Sequence, residues 1–102
     1  MALLLDENNF DEKVKSGIAV IDFWAPWCVP CKMMTPVVDK IAANNPDFVV
    51  AKVDIDVSPQ LAQRFNVMSV PTIIIMKDGE PVDQTIGVVT EKVIMRKIDA
   101  IR

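Results

Sequence analysis

Histidine is missing from this sequence altogether and cysteine occurs only twice, so the roughly four Cys or His ligands that hold a structural zinc cannot be assembled. Without imidazole, a proton acceptor has to be sought first among the carboxylates. No apolar stretch approaches the ~20 residues of a membrane span. The leading Met1-Ala2-Leu3-Leu4-Leu5 runs straight into Asp6 and Glu7, without the basic start or the apolar length of a secretory signal. A cytoplasmic location is therefore expected, with Met1 read as the initiating residue and no leader removed before it. Basic runs are lacking too: Lys and Arg total 11 against 14 Asp and Glu, a net charge of -3, which argues against nucleic acid as a partner. The chain contains no internal repeat, linker or low-complexity segment. What remains is an ordinary globular composition, 51% hydrophobic and 25% charged, read as a single domain over residues 1–102.

The elements follow from periodicity and punctuation. Leu3 to Leu5 reads as a short strand, and Asn8 or Asn9 as the cap of a helix carrying Phe10 and Val14 that Gly17 ends. Ile18 to Trp24 is almost continuously apolar and β-branched, the pattern of a central strand covered on both faces, broken only by Asp22. From Pro30 to Asn44, Met33, Met34, Val37, Val38 and Ile41 recur at helical spacing, and Pro36 predicts a kink. Phe48 to Val53 is a further strand, and Ser58-Pro59 opens a short helix through Leu61 and Phe65. Thr72 to Met76 and Val82 to Ile86 form a hairpin about Lys77-Asp78-Gly79-Glu80, and Thr90 caps a last helix with Val93, Ile94 and Ile98. Alternating units followed by a hairpin and a helix imply an α/β fold, a mixed sheet with helices on both faces. The methionines at 33, 34, 68, 76 and 95 are expected to fill core or rim.

The strongest local signal is Trp27-Cys28-Val29-Pro30-Cys31-Lys32, two cysteines two residues apart where a strand gives way to a helix. A zinc site lacks ligands, and a static disulfide closing so short a loop removes little chain entropy and is out of place in a reducing cytosol. Redox chemistry is the reading that uses the placement. At a helix N-terminus the unpaired backbone N–H groups and the helix dipole favour the Cys28 thiolate, making Cys28 the nucleophile. Cys31, one turn on, faces the same way and is the resolving thiol, while Pro30 fits the first turn without offering an N–H. Exchange then runs through a mixed disulfide on Cys28 that Cys31 attacks. The redox centre is the Cys28–Cys31 pair itself, with no metal and no other cofactor expected.

The run from Asp22 to Lys32, DFWAPWCVPCK, resembles the active-site signature of the thioredoxin family. Ala51-Lys52-Val53-Asp54-Ile55-Asp56, Val70-Pro71-Thr72 and Asp78-Gly79-Glu80 followed by Gly87 occur in the family's order and spacing, so the resemblance spans essentially the whole chain. It implies the thioredoxin fold, a central five-stranded mixed sheet flanked by four helices. It also implies protein-disulfide reduction, disulfide-containing client proteins, a thioredoxin reductase or equivalent electron donor, and a monomer.

The same resemblance gives roles to residues that patterning leaves open. Asp22 is either a solvent-facing strand residue or a buried acid with a raised pKa; the family implies the second, beneath the cysteines and handling the proton of the resolving thiol. Lys52 matches the family lysine near that acid, although an exposed strand lysine would look the same. Most X-Pro bonds are trans, yet the family implies a cis bond at Val70-Pro71 that frees the Val70 backbone to pair with an extended client segment. Trp27, Val29, Pro30, Ile55, Val70, Pro71, Ile86, Gly87 and Val88 then make an apolar docking surface, with Gly87 allowing close backbone approach. Val29 departs from the usual glycine between the cysteines, and Asn66, Met68 and Ser69 from residues that are commonly glycine or basic. A disulfide oxidase or isomerase, and a non-catalytic thioredoxin-fold binding module, are the competing readings.

Overall fold

A computed structural model describes residues 2–102. Its elements in chain order are β1 (Leu3–Leu4), α1 (Phe10–Val14), β2 (Ile18–Trp24), α2 (Val29–Asn44), β3 (Val49–Asp54), α3 (Pro59–Arg64), β4 (Thr72–Lys77), β5 (Glu80–Ile86) and α4 (Glu91–Ile101). The five strands lie in the order β1-β3-β2-β4-β5. β3 is parallel to both β1 and β2, whereas β4 runs antiparallel to β2 and to β5. This is the mixed sheet expected from two parallel-strand crossovers followed by a hairpin.

Side chains alternate across β2 and divide the core in two. Ala19, Ile21 and Phe23 face α1 and α3, packing with Phe10, Val14 and Leu61. Val20 faces α2 and α4, packing with Met34, Val38, Ile94 and Ile98. Both faces being covered explains why the strand reads as an apolar run rather than an alternating one.

Helix starts are where the sequence reading needs correction. Asn9 does occupy the N-cap of α1, but its side chain turns backwards, and its Oδ1 accepts the Asp6 N–H at 2.8 Å. Ser58 sits at the N-cap of α3 without capping it, and its buried hydroxyl has no partner among the described residues. Thr90 behaves as expected, its Oγ1 accepting the Val93 N–H at 3.3 Å. These geometries separate two substitutions. Thr90→Ala loses a cap worth about 1 kcal/mol, lowering the melting temperature by about 4–8 °C. Ser58→Ala deletes an unsatisfied hydroxyl and leaves the melting temperature unchanged or raised, and circular-dichroism melts of the two variants check the contrast.

Element boundaries shift by a residue or two at β1, α2, β3, α3, β4 and β5, and α2 runs unbroken through Pro36. At the β4–β5 hairpin Asp78 and Gly79 both take positive φ, 51° and 86°, the conformation a two-residue turn between twisted strands requires. Two methionines depart from expectation: Met33 and Met68 are 61% and 90% exposed, whereas Met34 and Met76 are buried. Met33 lies on the outer face of α2, and Met68 in the loop before Pro71, where no element covers it.

Candidate active site

The site forms where β2 ends and α2 begins. After Trp24, Ala25-Pro26-Trp27 makes a turn closed by the Cys28 N–H donating to the Ala25 carbonyl at 3.1 Å. Cys28 is the N-cap of α2, with extended backbone (φ -92°, ψ 107°), and Val29 and Pro30 occupy the first helical positions. A proline there lacks only an N–H that the helix would have left unpaired. Cys28 and Cys31 are joined by a disulfide with Cα atoms 5.3 Å apart. The Cys31 backbone N–H also donates to the Cys28 sulfur at 3.2 Å. One backbone donor at the positive end of a helix is thus already aimed at the Cys28 sulfur.

The second wall of the site is the loop before β4. The Val70-Pro71 peptide bond is cis, as the resemblance implied. The Val70 carbonyl oxygen lies 3.6 Å from the Cys28 sulfur, so the backbone before Pro71 abuts the disulfide, with Val70 half-buried and Pro71 itself buried rather than on the surface. Gly87 donates its N–H to the Pro71 carbonyl at 2.9 Å. Gly87 has a φ of +93°, which a side chain resists, and a Cβ there would meet nothing within 4 Å in this chain, leaving the space beside it open. Ala25, Cys28 and Cys31 form a small buried cluster against which Trp24, Ile55 and Val70 pack. Around it Trp27, Val29, Pro30, Ile86 and Val88 are exposed, Trp27 and Val29 by 67% and 69%. The Trp27 indole donates to Asp56 Oδ2 at 3.1 Å, which fixes the ring's orientation.

Asp22 is fully buried, and neither carboxyl oxygen has a hydrogen-bond partner among the described residues. It alternates along β2 with Val20 and Trp24, which places it on the α2 face of the sheet. Burial raises its pKa from the ordinary 3.8 to about 6, and the positive charge of Lys52 holds it from rising further. Lys52 is the register partner of Asp22 on β3, yet the two do not form an ion pair. Instead, Lys52 Nζ donates to Thr35 Oγ1 at 3.3 Å and lies 4.7 Å from the centre of the Trp24 ring. Lys52 is therefore near the acid without discharging it. The sequence reading missed Thr35 and Asp56. Thr35 was accessible in principle, one further helical turn from Cys31 at i+4; Asp56 was not, because its link to Trp27 joins segments distant in sequence.

A helix-capping cysteine, its disulfide partner one turn on, an apposed cis-proline loop and a buried acid beneath the helix define a dithiol–disulfide oxidoreductase. The sequence matches the Thioredoxin family profile over residues 1–100. It is 48% identical over 82 residues to thioredoxin of Staphylococcus haemolyticus, covering 79% of each chain. Against thioredoxin of Chlamydia trachomatis it is 45% identical over 87 residues, 85% of each chain. A mutant thioredoxin from Halobacterium salinarum superposes with a TM-score of 0.91 at 33% identity, covering 97% of this chain and 88% of that one. The chain belongs to the thioredoxin family. It is a protein-disulfide reductase that works by dithiol–disulfide exchange.

Proposed function

We propose that Cys28 is the attacking thiol and Cys31 the resolving thiol of this reductase, and that Asp22 accepts the proton Cys31 must lose. The observation that carries the reading is the N-cap position of Cys28, with the Cys31 N–H pointed at its sulfur at 3.2 Å. In the reduced protein the Cys28 thiolate attacks one sulfur of a client disulfide. A Cys28–client bond forms and the other client sulfur leaves as thiolate. Cys31, deprotonated towards Asp22, then attacks the Cys28 sulfur. The second client thiolate departs, and the Cys28–Cys31 bond seen here remains. Two electrons pass from the cysteine pair to the client, and a thioredoxin reductase or equivalent dithiol donor returns them.

Lys52 acts as a positioning residue: it moderates Asp22 electrostatically and, through Trp24 and Thr35, ties β3 to the wall of the site. Val70 and Pro71 offer backbone to an extended client segment, and Trp27, Val29, Pro30, Ile55, Ile86, Gly87 and Val88 give the surface on which it seats. The protein acts as one thioredoxin domain over residues 1–102, a cytoplasmic monomeric electron carrier.

Alkylation of the reduced protein tests the assignment of the nucleophile. Iodoacetamide is expected to label Cys28 first, with an apparent pKa below the roughly 8.5 of a free cysteine, and Cys31 much more slowly. Equal labelling of both, or faster labelling of Cys31, contradicts it.

A further inference from the structure

Beyond the surface round Cys28, an open groove of about 540 Å³ runs between the outer side of α2 and the start of α4. Its walls include Pro36, Val37 and Lys40 from α2, and Val88, Glu91 and Lys92 from the approach to α4 and its first turn. Val88 lines the groove and also belongs to the surface on which the client is proposed to seat. Val29, Met33, Pro36 and Val37 fall at i, i+4, i+7 and i+8 on α2, a single apolar stripe leading from the active-site end of the helix to the groove. Val29, Met33 and Pro36 are exposed, and Val37 is half-buried, one side against the core and the other lining the groove. On the opposite wall, Val88 follows Gly87, which is bonded to Pro71. The Val89 N–H meets the Met34 sulfur at 3.4 Å, which pins that wall to α2. The charge in the groove is unbalanced. Glu91 is held by Lys40 at 3.4 Å and by the Asn44 amide at 3.2 Å, whereas Lys92 has no ion-pair partner among the described residues.

We propose that this groove is a second client subsite, taking an apolar side chain flanked by a carboxylate in the polypeptide that carries the disulfide. The inference rests on the reductase reading and deepens it by naming a class of client. Spacing follows from geometry: Val37 lies about 13 Å along α2 from Cys28 at ~1.5 Å per residue, and an extended chain covers that in about four residues. The preferred client therefore has a large apolar residue about four positions from its reacting cysteine, with an acidic neighbour that meets Lys92.

The test uses disulfide-linked peptides with Leu or Ser at the fourth position from the cysteine, on either side, each next to Asp or Lys. Hydroxyethyl disulfide, which has no arm to reach the groove, serves as the control. The intact protein is expected to favour the Leu-Asp peptide over the Ser-Lys one by at least about tenfold in kcat/KM. Val37→Thr should reduce the Leu preference and Lys92→Glu should reverse the Asp preference, with hydroxyethyl disulfide reduced at the intact rate by both. Equal kcat/KM for all peptides overturns the subsite, as does a preference unchanged in both variants. Failure of the intact protein to reduce even hydroxyethyl disulfide contradicts instead the exchange chemistry on which the subsite rests.

Discussion

Replacing Cys28 with serine is expected to lower insulin disulfide reduction, with dithiothreitol as donor, by more than about 10³-fold, because no other group at the N-cap of α2 can form the mixed disulfide. Cys31→Ser should also stop turnover, but for a different reason. The Cys28 sulfur keeps its helix-terminal position and the backbone N–H of position 31 that points at it, since that donor belongs to the main chain. Attack proceeds once, and the adduct then persists for want of a resolving thiol. The two variants thus fail at different steps. Retained turnover in Cys28→Ser would contradict Cys28 as the attacking thiol.

Asp22→Asn is expected to make the protein more stable and less active, the reverse of most core substitutions. The sign follows from the raised pKa. Below pH 3.8 the carboxyl is neutral in both folded and unfolded chains and costs nothing extra. As pH rises from 3.8 through about 6, the unfolded chain ionises first, and folded stability declines; above that the full penalty is present. A shift from 3.8 to about 6 corresponds to about 3 kcal/mol at neutral pH. Denaturant unfolding at pH 8 should therefore show the Asp22→Asn variant stabilised by up to about 3 kcal/mol, with most of the gain lost by about pH 4 and the rest below about pH 3. Turnover should move the other way. With Asp22 as proton acceptor the resolving step accelerates as pH rises through about 6 and then levels; Asp22→Asn slows it by about 10²-fold and removes that inflection. A variant with unchanged stability at pH 8 and an unchanged pH profile would show that Asp22 is neither strained by burial nor engaged with Cys31.

Much of this was legible from residue order because the relevant physics is local or periodic. An apolar β2 broken only by Asp22 announces a strand covered on both sides, whereas the burial of Asp22 was implied by the family resemblance rather than by the pattern. Two cysteines at i and i+3 across a strand-to-helix junction announce a capping sulfur and its partner. Position within an element is not the same as side-chain direction, and there the reading failed. Asn9 and Ser58 occupy N-caps, yet one side chain bonds backwards and the other is buried without a partner among the described residues. Met33 and Met68 read as core or rim by hydrophobicity alone, but they project outward beside the site, one on the solvent face of α2 and one in the loop before Pro71. Trp27 with Asp56, and Lys52 with Thr35, are pairings created by the tertiary fold. The composition of the segments involved carries little trace of them.

The most direct test of Cys28 as nucleophile is to react reduced Cys31→Ser with a disulfide-bonded client, digest the product without reductant and map the linkage by mass spectrometry. One stable adduct is expected, a peptide containing Cys28 joined to a client cysteine. Absence of any adduct, under conditions where the intact protein reduces the same client, would contradict Cys28 as the attacking thiol.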